Sequence, residues 1–153
     1  MLNKKKSPGK KSSNKSGFFK KTTKPAAAAT PKKEAAKNTI TNWFYMNDQD
    51  ISAKKLYEYL LTVNGITPEV WSELDILEVE FADKSTADFE GIEPNFQEEF
   101  SDGFLAEHNI VCVYTVTVAT SNLNQVQELM SSIAKECGGF FCSDTPDFQP
   151  IIR

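Results

Sequence analysis

The chain has 153 residues, 40% hydrophobic and 25% charged, with a formal net charge of −4, and that length sets an expectation of one domain. No apolar run approaches the ~18–20 residues of a membrane span, and three cysteines are too few, and odd in number, for a disulfide scaffold. The averages conceal a division. Residues 1–39 hold 12 of the 17 basic residues and one acid, Glu34, a net of +11; residues 40–153 hold 5 basic and 20 acidic residues, a net of −15.

Residues 1–39 are rich in Lys, Ser, Thr, Ala and Pro, and contain no Ile, Val or Tyr. So little apolar area does not offset roughly 1–2 kcal/mol of backbone entropy per residue, which predicts a disordered basic tail. The Lys4–Lys6 run is followed by SPGKKSSNKS rather than an apolar stretch, so the segment does not read as a secretory signal. The absence of Arg argues against a mitochondrial presequence. The expected compartment is cytoplasmic, becoming nuclear or nucleoid-associated if the tail acts as an address or a DNA anchor. Lysines at this density release counterions from phosphates and give sequence-independent contact with DNA or RNA. Lys4, Lys5, Lys6, Lys10, Lys11, Lys20, Lys21, Lys32 and Lys33 are the candidates for that contact. With its Ser7-Pro8-Gly9-Lys10 and Thr30-Pro31-Lys32-Lys33 spacing, the segment resembles in composition the basic tails of linker histones. A solubilising extension, and a fold-back of +11 onto −15, are the alternatives.

The composition changes at Thr39, which places an acidic α+β domain over residues 40–153. Residues 40–46 read as a strand ended by Asn47-Asp48-Gln49-Asp50. A helix follows, capped by Asp50 or Ser52, with Leu56, Leu60 and Val63 on one face and Gly65 as its stop. Thr67-Pro68 is expected to restart a short helical turn through Val70 and Trp71. Leu77, Val79 and Phe81 then alternate with Glu78 and Glu80, the pattern of a strand with one wet face.

Residues 82–108 read as an irregular acidic insert. Within it Phe96, Phe100 and Phe104 would share one helical face, as core or as a lid or groove for an apolar anchor. Residues 110–120, apolar on both faces, read as a central strand. Asn122 with Gln125 suggests a capping box for the next helix, whose stripe is Leu123, Val126, Met130, Ile133 and Cys137. Gly138-Gly139 ends it, and Phe140-Phe141-Cys142 forms a last strand before the Asp144-Thr145-Pro146-Asp147 turn. This order predicts a ferredoxin-like βαββαβ sandwich with the insert at about 82–108.

The segment NIVCVYTVTVATSNLNQVQELMSSIAKECGGFF, residues 109–141, resembles the regulator of ribonuclease E activity B family. That resemblance implies a small acidic protein that binds and inhibits a ribonuclease rather than catalysing a reaction. The chain departs from the family at Phe140-Phe141-Cys142-Ser143, where members carry a Tyr-Asp-Gly-Trp-like ending, and no functional residue is carried over.

Catalytic patterns are sparse. His108 is the one histidine, and no Gly-rich phosphate loop or H-E-x-x-H occurs. Cys112, Cys137 and Cys142 read as structural thiols. The pairs Asp48/Asp50 and Asp144/Asp147 could hold Mg²⁺ or Ca²⁺, but turn chemistry accounts for both. No cofactor or metal is expected. The charge of −15 steers basic proteins, so the expectation is a non-enzymatic acidic regulator of inhibitor or immunity type with a basic protein partner such as a nuclease. Glu78, Glu80, Asp144 and Asp147 are its candidate surface. A nucleic-acid-associated protein anchored by its tail is the alternative, and an Asp/Glu-dependent hydrolase comes third.

Overall fold

A computed structural model describes residues 38–153, and the nine candidate tail lysines lie outside them. The elements run β1 (Thr39–Asn47), α1 (Ala53–Leu60), β2 (Ile66–Trp71), a 3-10 turn (Ser72–Leu74), β3 (Ile76–Phe81), β4 (Thr86–Ile92), α2 (Glu99–Glu107), β5 (Cys112–Thr120), α3 (Leu123–Cys137), β6 (Phe140–Ser143) and β7 (Ile151–Ile152). The strands form one sheet in the order β2-β3-β4-β5-β1-β6-β7, with every neighbouring pair antiparallel. The expected class, mixed α and β, is what the chain adopts. The expected four strands are corrected to seven.

The additional strands have local reasons. Ile66–Trp71 is a strand rather than a helical turn because Pro68 sits on an edge, where a missing N–H leaves no ladder bond unmade. The stretch expected to be irregular contains β4, whose buried Ala87 and Phe89 alternate with exposed Asp88 and Glu90. A tight turn joins it to β3: Phe81 N–H donates to the Ser85 carbonyl at 2.8 Å and Lys84 takes a positive φ of 72°.

Helix ends also differ from expectation. Ser52 does cap α1, its hydroxyl accepting from Lys55 N–H at 3.2 Å. Asn122 makes no side-chain cap bond. Gln125 instead donates to Asp83 at 2.9 Å, tying α3 to the β3–β4 turn. Helix α2 begins at Glu99, so Phe96 precedes it and the expected three-Phe stripe is broken.

One sheet face is covered by two helices. Trp43, Tyr45, Leu77, Val79, Phe89, Tyr114, Val116 and Phe141 point into a core closed by Leu56 and Leu60 of α1 and by Leu129, Met130 and Ile133 of α3. Each large side chain there contributes roughly 1.5–3 kcal/mol by leaving water. The opposite face is covered only at one end, where Phe44, Met46, Val113 and Phe140 pack beneath Leu105 of α2 and Phe148. The remainder of that face is open.

Candidate functional site

Period-two alternation decides what the open half presents. With Leu77, Val79, Ala87 and Phe89 inward, the outward positions of three adjacent strands are Glu69 on β2, Glu78 and Glu80 on β3, and Asp88 and Glu90 on β4. In the ladder Glu69 stands opposite Glu78, and Glu78 opposite Asp88. Directly opposed side chains have Cβ atoms only about 4.5–5.5 Å apart, and like charges in that relation are destabilising. The same row continues through Thr117 and Asn42. It reaches Asp144, whose N–H donates to the Asn42 carbonyl at 3.0 Å. At about 4.8 Å per strand, Glu78 and Asp144 are roughly 19 Å apart.

Burial leads the electrostatics of the row, with crowding second. Glu78 is raised from its ordinary value, first by desolvation and then by Asp88, Glu69 and Glu80. Asp88 is raised by desolvation. Thr67, Glu69, Glu78 and Glu80 line a recess of about 170 Å³. Lys84 pairs with Glu80 at 3.5 Å, both side chains being exposed. Among the described residues no group of three or more His, Cys, Asp or Glu is arranged to hold a metal ion.

The other candidates are dispersed. Asp147 serves its own turn, accepting from the Thr145 hydroxyl at 3.1 Å and Gln149 N–H at 3.2 Å. Asp48 and Asp50 are exposed after β1. His108 ends α2 with its ring 4.4 Å from that of Phe104. Burial pushes the Cys112 and Cys137 thiols up, and that of Cys142 to about 12, so all three are protonated near neutrality and weak nucleophiles. The three thiols and the histidine lie apart from the carboxylate row. A row of carboxylates attracts and orients positive charge.

Sequence reasoning missed Glu69, Asp88 and Glu90, because β2 and β4 were not recognised as strands. It also missed Asp75, which holds the scaffold beneath the face. One Asp75 carboxylate oxygen accepts from Ala53 N–H at 2.8 Å, at the start of α1, and from the Tyr114 hydroxyl at 2.9 Å. No family model, curated protein or solved structure matches the chain.

Proposed function

We propose that this chain is a non-enzymatic acidic binding module that takes a basic protein on the open half of its sheet. The observation that carries the reading is the Glu69–Glu78–Asp88 row, flanked by Glu80 and Glu90. Three carboxylates in direct cross-strand register oppose folding, and a cationic partner relieves that repulsion while the face speeds its approach. The order β4-β5-β1-β6, with α1 and α3 over one face, supports a ferredoxin-like centre to which β2, β3 and β7 are added. The resemblance of residues 109–141 to the ribonuclease E regulators favours a nuclease as that partner.

The test is retention of proteins by the immobilised full chain, compared with a Glu69→Gln/Glu78→Gln/Asp88→Asn variant. A basic protein should be retained by the first, released by salt, and lost from the second. Equal retention by both would remove the acidic face from the account. A second reading, nonspecific nucleic-acid contact, is favoured by the 12 lysines among residues 1–39. It is compatible with the first because it uses a different part of the chain.

A further inference from the structure

The chain's two tryptophans are placed differently. Trp43 is buried in the core, and its indole N–H donates to the Thr41 hydroxyl at 3.0 Å. Trp71, the last residue of β2, is 43% exposed and belongs to neither core cluster. Ile66 and Val70 of the same strand pack toward the core, so period two turns Trp71 outward, onto the open face with Glu69. Leu74, in the 3-10 turn that follows, is 64% exposed. The partly buried Ile76 stands directly opposite Trp71 in the ladder. Large apolar side chains grouped at a surface mark a contact for another molecule, and tryptophan is among the residues most enriched at the energetic centres of interfaces.

Carboxylates around this patch restrict what can land on it. Glu69 precedes Trp71 by two residues on the same face of β2, about 6.7 Å along the strand. Glu78 lies diagonally across on β3, a relation of roughly 7–8 Å. Glu90 stands opposite Ile76 on β4, two strand spacings or about 9.6 Å from Trp71. An apolar side chain seated on the indole would take water from these carboxylates and return nothing. A lysine ammonium holds its own water more strongly than a guanidinium does. An arginine suits both parts of the patch: its planar, weakly hydrated head stacks on an indole while its N–H fork pairs carboxylates at the rim.

We propose that Trp71, with Leu74 and Ile76 beside it, is the docking point for an arginine of the basic partner, its guanidinium stacked on the indole and paired with Glu69 and Glu78. The inference rests on the acidic-face reading and deepens it. The carboxylate row attracts any cation, and Trp71 selects arginine over lysine.

The test is titration of the full chain at low salt with oligoarginine and oligolysine peptides of equal length, followed by calorimetry and by tryptophan emission. Wild type should bind the arginine peptide about three- to tenfold more tightly, with a change in indole emission that the lysine peptide does not produce. Trp71→Leu keeps an apolar side chain at an exposed position. It should fold as wild type does and bind the arginine peptide no more tightly than the lysine peptide. Glu69→Gln/Glu78→Gln/Asp88→Asn should weaken both peptides.

An arginine preference that survives Trp71→Leu would belong to the carboxylates alone and overturn the proposal. Should that variant fail to fold, wild-type emission decides, and a response absent with arginine or equal with both peptides overturns it. Equal affinity of wild type for the two peptides, with binding lost in the carboxylate variant, would remove the docking point and leave the acidic face standing. No binding of either peptide, or full binding by the carboxylate variant, would overturn both readings.

Discussion

Asp75 joins three elements through one residue. It sits at a positive φ of 55°, and besides the two bonds to its carboxylate, its carbonyl accepts Gly91 N–H at 3.0 Å. A Cβ on Gly91 would stand 2.3 Å from that carboxylate, so both positions are constrained. Asp75→Ala leaves the first amide of α1 without its acceptor and the Tyr114 hydroxyl with the Ile51 carbonyl alone, and should destabilise the fold by about 1–3 kcal/mol, read as a lower urea midpoint. Gly91→Ala should act in the same direction. Asn47 is a comparable hub that is fully satisfied: its amide donates to the Tyr45 hydroxyl at 2.9 Å and the Cys137 carbonyl at 3.0 Å. Beside it Gly139, at φ +77°, leaves 2.3 Å between a would-be Cβ and the Met46 carbonyl. The thiols make a simpler forecast. With its pKa near 12 and its side chain buried, Cys142 should react with a thiol reagent at neutral pH only once the protein is unfolded.

At the scale of elements, the crowded row makes stability depend on pH. Glu78 and Asp88 hold protons more tightly when folded than an ordinary carboxylate does, so the folded state binds more protons between the two values. Their destabilising effect is fully present above the folded pKa, shrinks as pH falls through it, and is gone below the ordinary carboxylate range. Glu78→Gln/Asp88→Asn should therefore be more stable than wild type at neutral pH, by about 0.5–1 kcal/mol at these part-exposed positions. That gap should close as pH falls toward about 4. Thermal melts of both proteins across that range check it, and a gap that widens on acidification would contradict the argument.

The sequence showed one strand of this face clearly, because Leu77, Val79 and Phe81 alternate without interruption. It concealed β4, because Gly91 and flanking acids blur an alternation carried by Ala87 and Phe89 alone. It concealed β2 because Pro68 reads as a helix start until the strand is known to be an edge. Asp144 looked like turn chemistry, and only the pairing of β1 with β6 puts it in the carboxylate row.

For the whole molecule, charge is segregated along the chain: +11 in residues 1–39 and −15 in residues 40–153. If the basic segment acts through counterion release, duplex DNA binding should be nearly independent of sequence. With about six lysines engaged, the log–log salt slope should be about −5. Changing Lys4, Lys5, Lys6, Lys10 and Lys11 together to Ala should flatten that slope and leave the melting temperature unchanged. Lack of binding at low salt would reduce the segment to an address or a solubiliser. No described helix is long and apolar enough to cross a membrane.

The two margins of the sheet bear on how the chain behaves when concentrated. An unprotected outer strand is a template on which other chains polymerise. Here one margin is β2, interrupted by Pro68, and the other is β7, only two residues long. Neither offers an unbroken ladder. An open, uncovered face can therefore be exposed without inviting strand-by-strand aggregation, and contacts with other molecules are directed to side chains instead of backbone. Pro68→Val, which restores the missing N–H, should leave the fold intact and introduce concentration-dependent self-association, visible by sedimentation.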